Sequence, residues 1–339
     1  MTHAKAAAPR AAVIGAGSWG TALAIHLARA GVDTTLKARR PEAAETLRRD
    51  RENAAYLPGC PFPELLSVTA DLAEALAGRS LVLFVAPAQS SREIFRRAAP
   101  LLAPGADRVI ASKGIEEGSG LRLDEVMVQE SPRGAGACVI LSGPSFAEEV
   151  GRGQPTAIVA ASGDEDTARR VQELVAHGAL RVYRNGDPIG VALGGALKNV
   201  MALATGIAEG IGLGLNTRAA LLTRGLAEMT RLGVAAGGRA ATFAGLAGIG
   251  DLVLTCTGGL SRNRSLGIEI GRGRRLAEIL AERRTVAEGV ATTRAALALA
   301  ARHGVDLPIA AQVREVLDGG RAPAEAVQDL LARPLKEER

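Results

Sequence analysis

The sequence predicts an α/β chain in two parts: a doubly wound, mostly parallel sheet over residues 1–187, then an all-helical domain over 188–339. Three observations predict this. Short apolar runs alternate with helical periodicity as far as Asp187, strand signals stop after it, and a glycine-rich turn joins the first apolar run to the first helix.

Taken in order, Ala11–Ile14 reads as a strand, Gly15-Ala-Gly-Ser-Trp-Gly20 as the turn, and Thr21–Ala30 as an amphipathic helix. Strand, G-x-G-x-x-G and helix in that sequence form the dinucleotide fingerprint of a Rossmann-like domain. Gly15 makes the tight turn, Gly17 lets a pyrophosphate approach the backbone, and Gly20 allows close helix packing, with the helix N-terminus facing the phosphates. The next strand, Thr34–Ala38, should carry the residue that reads the adenosine ribose. An NAD site would place a carboxylate there, about twenty residues on. This chain has Arg39 and Arg40, which suit a 2′-phosphate, so NADP(H) is expected to be preferred and NAD(H) to be possible. The other reading of the pair is a solvated helix start beside Pro41.

Further strands are expected at Leu81–Val85, Arg108–Ala111, Cys138–Ser142, Ala157–Ala161 and Leu180–Tyr183. Their carboxyl ends carry Ala86-Pro87, Ser112-Lys113-Gly114 and Gly143-Pro144-Ser145, where ligands of open parallel sheets collect.

Helical signals take over in the second half. Ile189–Gly206 carries a broad apolar surface with Lys198 inside it and Gly194 and Gly195 one turn earlier. Each interior glycine costs a helix roughly 1 kcal/mol against alanine, so the pair implies close approach of something to the backbone. One reading is a ligand beside the Lys198 amine; the other is tight helix packing with Lys198 reaching out to water. The chain uses lysine at only five of its 41 basic positions, and two of these, Lys113 and Lys198, lie in small-residue stretches. Arginine cannot give up a proton in proteins, so a retained lysine suggests proton exchange. Ala219–Leu232 reads as helix, residues 237–250 as a small-residue loop region, and Asp251 and Thr255 as one face of the following helix. Ser261 is a good N-cap, and with Arg262 and Asn263 it offers a phosphate site at a helix start. Arg264, Arg272, Arg274 and Arg275 read as a solvated face. Val286-Ala-Glu-Gly289 reads as a turn, with Glu288 either meeting a ribose or amide or lying on the surface.

Composition narrows the function classes. Hydrophobic residues make up 47% of the chain, enough for sizeable cores, while aromatics make up only 2%. The net charge of +5 allows anionic ligands, but scattered basic residues and few stacking aromatics argue against nucleic acid. Cys60, Cys138 and Cys256 are isolated, with no metal or redox spacing, so no metal site and a reducing cytoplasm are expected. No signal-peptide core and no membrane span are read in the sequence. The histidines, His3, His26, His177 and His303, fall in no motif. Oxidising an alcohol by hydride transfer needs a base, and Lys198 is then the best candidate, tuned by burial and cations such as Lys113 and Arg262 and oriented by Asp251.

GAGSWGTALA, SKGIE, GPSFAEEV, ALKNV, AGIGDLVLTCTGGLSRNRSLG and VAEG, in order from about Val13 to Glu288, together resemble the bacterial NAD(P)-dependent glycerol-3-phosphate dehydrogenases. The resemblance implies reversible reduction of dihydroxyacetone phosphate to sn-glycerol 3-phosphate, feeding phospholipid synthesis. It implies Lys198 as proton acceptor and donor and Lys113 as a contact to both substrate and cofactor. Gly143 and Ser145 would contact substrate, and Ala147 cofactor. Asp251, Ser261, Arg262 and Asn263 match substrate positions, with Arg262 also reaching cofactor. Ser18, Trp19, Arg39, Val286 and Glu288 match cofactor positions. A homodimer is expected at the family level. One departure is Lys37, where family members often carry an aromatic, which bears on adenine packing and coenzyme preference. Two rival readings stay open: a hydroxy-acid dehydrogenase of the same fold, with Arg262 gripping a carboxylate, and a dinucleotide-binding sensor without turnover.

Overall fold

Runs that are apolar throughout, such as Leu81–Phe84, become strands covered on both faces, as parallel sheets require. The computed structural model of the chain describes residues 9–131, 137–282, 287–335 and 337. Among these the strands are β1 (Arg10–Ile14), β2 (Asp33–Lys37), β3 (Glu52–Asn53), β4 (Leu57–Pro61), β5 (Leu66–Thr69), β6 (Leu81–Phe84), β7 (Asp107–Ile110), β8 (Cys138–Ser142), β9 (Thr156–Ala161) and β10 (Leu180–Asn185). Eight form one sheet in the order β10-β9-β8-β7-β6-β1-β2-β5; β3 and β4 form a separate antiparallel pair. Pairing in the large sheet is parallel except between β8 and β9, where Leu141 lies opposite Ala160. The chain leaves β1 towards β2 on one side and returns to β6 on the other. That reversal at β1 opens the crevice where open α/β sheets bind ligands.

By contact the chain separates into two units. One holds the chain up to Ser112 together with Leu123–Pro188; the other holds Lys113–Arg122 together with the chain from Ile189 on. The sequence places residues 113–122 with the sheet, whereas the structure gives them to the helical unit. Ile115 is fully buried in that unit's core. Arg302 also donates to the carbonyls of Ser119 and Gly120, at 3.2 and 2.6 Å.

The helical unit is built around the Pro188–Gly210 helix, which is buried on nearly every side from Gly190 to Ala208. It is long and apolar enough to cross a membrane, which the sequence does not suggest, but it is the core helix of its unit. Glycines set its contacts. A Cβ on Gly206 would stand 2.2 Å from the Arg264 carbonyl oxygen, and one on Gly267 would stand 2.4 Å from that of Leu203. Gly210 and Gly271 meet the same crossing from either side, so the Pro188–Gly210 and Arg262–Gly271 helices touch backbone to backbone. The loop expected at residues 237–250 is instead ordered into a short helix, Ala240–Phe243, and a wide turn of π type, Leu246–Gly250. Buried Glu228 closes another junction. Its carboxylate accepts the Ile309 and Ala310 N–H groups at 2.7 and 3.4 Å, at the otherwise uncapped start of the Pro308–Leu317 helix.

Candidate active site

The helical unit places Lys198, Lys113, Asp251 and Thr255 together. Lys198, midway along the core helix, donates to Asp251 Oδ1 and, at 2.8 Å, to Thr255 Oγ1. Lys113 donates to Asp251 Oδ2 at 2.6 Å. Asp251 is 0% exposed and Lys198 only 7%, so the amine does not reach out to water. Asp251 and Thr255 come from one face of the Asp251–Thr257 helix, as their spacing predicts, and Thr255 also donates to Asp251 Oδ1 at 3.3 Å. Burial lowers the Lys198 pKa to about 8; Asp251 works against this fall and Lys113 adds to it. Burial by itself would raise the Asp251 pKa, but the Lys113 and Lys198 ammonium groups outweigh it and hold the carboxyl below its ordinary value.

The need for Gly194 has a different origin from a ligand. A Cβ there would meet the Ala247 carbonyl oxygen at 2.5 Å, so the chain's own backbone lies against it. This contact packs the turn just before Asp251 onto the helix that bears Lys198. The glycine therefore positions the pair.

The phosphate-site candidate forms as a true helix start. Ser261 caps the Arg262–Gly271 helix, its Oγ accepting the Arg264 N–H at 3.2 Å. Arg262 is exposed and lies within electrostatic reach of Glu288. The Asn263 side chain turns inward: it donates to Asn199 Oδ1 and accepts the Gly289 N–H, both at 3.0 Å. It thereby ties the helix start to the residue after Lys198 and to the Glu288–Arg302 helix. Glu288 opens that helix rather than a turn, and Val286 lies outside the described residues. Arg264 belongs to no solvated face; it is paired with Glu209 at 2.6 Å. Arg274 and Arg275 pair with surface glutamates.

In the sheet unit, Gly15 has φ +122°, and a Cβ on Gly20 would stand 1.9 Å from the Gly15 carbonyl oxygen. Both positions therefore demand glycine, for the turn and for the close approach of helix to strand. The place a Gly17 side chain would take is open, with no atom within 4 Å. Ser18 begins the Ser18–Arg29 helix, whose first turn has no side-chain cap. The buried indole N–H of Trp19 has no hydrogen-bond partner among the described residues. An open backbone cradle, uncapped N–H groups and an orphaned donor fit the pyrophosphate and neighbouring groups of a dinucleotide. Asn53, which the sequence does not mark, holds the loop by donating to the Ala16 carbonyl at 3.0 Å and to Thr21 Oγ1 at 2.8 Å. Gly143 has φ +130° with the Ile158 Cα at 3.0 Å from a would-be Cβ, so its backbone alone requires glycine. Ser145 donates to the Gly143 carbonyl at 3.1 Å, and Ala147 opens the short helix Ala147–Gly151. Arg39 and Arg40 are exposed just past the end of β2. His26 is a structural histidine, its Nε2 2.7 Å from the Val175 carbonyl. Among the described residues there is no group of metal-ligating side chains, and no disulfide joins Cys60, Cys138 or Cys256.

A fingerprint loop on a parallel sheet and a buried lysine of lowered pKa in a helical unit point to a class: nicotinamide-dependent dehydrogenases. Comparison with known proteins narrows it. Residues 10–168 match the NAD-dependent glycerol-3-phosphate dehydrogenase N-terminus, and residues 187–328 match the C-terminus of the same family. The glycerol-3-phosphate dehydrogenase [NAD(P)+] of Geobacter sulfurreducens is 52% identical, over 97% of this chain and 99% of its own. That of Citrifermentans bemidjiense is 53% identical, over 98% and 99%. The crystal structure of glycerol-3-phosphate dehydrogenase from Coxiella burnetii superposes with a TM-score of 0.92 at 40% identity, covering 96% of this chain and 99% of the other. The chain belongs to the NAD-dependent glycerol-3-phosphate dehydrogenase family.

Proposed function

We propose that this protein is an NAD(P)-dependent sn-glycerol-3-phosphate dehydrogenase that reversibly reduces dihydroxyacetone phosphate, with NADPH preferred over NADH. One observation carries the chemistry: a buried lysine with its pKa lowered to about 8, held by a buried carboxylate, in a chain of this family.

The bound nicotinamide supplies a hydride, with its electron pair, to the carbonyl carbon. The carbonyl π electrons pass to the oxygen, which takes a proton from Lys198 Nζ; in the reverse direction the neutral amine takes the hydroxyl proton back. Asp251 and Thr255 each engage one Lys198 N–H, which leaves a third donor direction for the substrate oxygen. Lys113 keeps Asp251 ionised and adds positive charge where oxygen becomes more negative. The substrate phosphate lies at the start of the Arg262–Gly271 helix, on its first N–H groups and the Arg262 guanidinium, with Ser261 and Asn263 shaping that start. Gly143 and Ser145 complete the substrate contacts. Gly15, Gly17, Ser18, Trp19 and Gly20 hold the pyrophosphate side of the cofactor, and Arg39 and Arg40 its 2′-phosphate. Ala147, Val286 and Glu288 are further cofactor contacts, with Lys113 and Arg262 shared between the two ligands.

The product, sn-glycerol 3-phosphate, feeds glycerophospholipid synthesis. The working compartment is the cytoplasm, in keeping with three cysteines that form no disulfide, and the working form is a homodimer. Purified protein mixed with dihydroxyacetone phosphate should oxidise NADPH, and NADH more slowly, as followed by absorbance. Turnover of unphosphorylated hydroxy acids with none of dihydroxyacetone phosphate would transfer the protein to the neighbouring hydroxy-acid enzymes. Tight NADPH binding with no turnover of any small carbonyl would make it a sensor.

A further inference from the structure

Positive charge gathers at the carboxyl end of β2, where one carboxylate, Asp71, faces Lys37, Arg39 and Arg97. Lys37 is the last residue of the strand, and its carbonyl accepts the N–H of Gly15, the first fingerprint glycine, at 3.1 Å. Its ammonium is half-buried and has no hydrogen-bond partner in the described protein. Burial lowers its pKa first, then the charges of Arg97 and Arg39; only Asp71 opposes them. The Asp71 carboxylate already accepts the Glu74 N–H at 2.8 Å as the cap of the Leu72–Leu76 helix. Arg39, Arg40 and Arg97 make no side-chain hydrogen bond or ion pair among the described residues. Three cations around one carboxylate leave a net repulsion in the free protein, and a dianion placed among them removes that cost.

We propose that Lys37 is a specificity-determining residue that binds the 2′-phosphate of the dinucleotide together with Arg39, so that this chain discriminates between the two coenzymes with a strand lysine as well as the arginine after it. The inference rests on the coenzyme preference proposed above and names a further residue that enforces it. Its position suits the role: the residue at the end of the second strand is the one that faces the adenosine ribose in dinucleotide folds. Lysine acts there as a point charge, while the arginine provides the planar fork.

The test is equilibrium binding of adenosine 2′,5′-bisphosphate and of 5′-AMP to the full-length chain, by calorimetry, for wild type, Lys37→Met and Lys37→Arg. Lys37→Met keeps the apolar stem and removes the charge. It should weaken adenosine 2′,5′-bisphosphate about tenfold or more, leave 5′-AMP within about twofold, and flatten the salt dependence; Lys37→Arg should restore most of the affinity. Equal weakening of both nucleotides would assign Lys37 to the adenine, and no change in either would make it a surface lysine; both outcomes overturn the proposal. A wild-type chain that binds the two nucleotides equally would instead overturn the coenzyme preference itself. An unchanged unfolding midpoint in Lys37→Met shows that the comparison is made on folded protein.

Discussion

Lys113 donates to Asp251 Oδ2 at 2.6 Å across 138 positions of sequence, and this contact fixes the charge of the site. The carboxylate is fully buried and would be expensive to ionise alone; between two ammonium groups it stays charged and raises the proton affinity of Lys198 against the effect of burial. Replacing Asp251 by Asn removes the charge that raises the Lys198 pKa, so that pKa should fall below about 8. The pH at which reduction loses half its rate should move to lower pH, with kcat down by about tenfold or more. A pH–rate profile that keeps its wild-type midpoint would show that Asp251 does not tune the lysine.

Arg302 anchors the segment that follows Lys113. The guanidinium holds the Ser119 and Gly120 carbonyls of the 113–122 segment. Arg302→Ala should loosen that segment and raise KM for dihydroxyacetone phosphate about three- to tenfold, while 5′-AMP affinity stays within about twofold. Parallel losses of substrate and nucleotide affinity would show general unfolding instead.

The glycine crossing is a stability element. With a Cβ on Gly267 only 2.4 Å from the Leu203 carbonyl oxygen, the helices would have to separate. Gly267→Ala should cost about 1–3 kcal/mol and lower Tm by several degrees, as read by calorimetry. Equal Tm values would mean that the crossing yields easily.

Two buried groups give stability opposite slopes with pH. The Glu228 pKa is raised to about 7, chiefly by burial, against the two helix N–H groups it caps and nearby Arg231; Asp306 adds to the rise. From about pH 4.5 to 7 the folded chain therefore holds more protons at this site, and stability should fall as pH rises, by up to about 1.4 kcal/mol per unit. Glu228→Gln should remove that slope in urea titrations at pH 5 and 7, and an unaltered slope would place its source elsewhere. Lys198 runs the other way. Its folded pKa of about 8 lies below its ordinary value, so its contribution to stability rises with pH above about 8.

The sheet was readable in the sequence where local chemistry determines it. The fingerprint glycines carry their reasons within six residues: a positive φ at Gly15, a clash at Gly20 and open space at Gly17. The apolar parallel strands announce themselves, whereas β5, half polar, β3, two residues long, and β4, interrupted by Pro and Gly, do not. Ser261, Asp251 and Thr255 follow from capping and helix spacing. Long-range contacts were not legible. Nothing local says that residues 113–122 join the helical unit, that Asn53 holds the fingerprint loop, that Arg264 finds Glu209, or that the neighbour of Gly194 is backbone rather than ligand. Lys198 was singled out by the scarcity of lysine; its burial depended on a partner 53 positions away.

The most direct measurement is single-turnover oxidation of NADPH by dihydroxyacetone phosphate in Lys198→Ala, with NADPH affinity measured on the same sample. Affinity should stay within about threefold of wild type while the rate falls by at least about a hundredfold, the loss expected when a positioned proton donor is removed. A near-normal rate with intact binding would contradict the role of Lys198 and move the proton to another group.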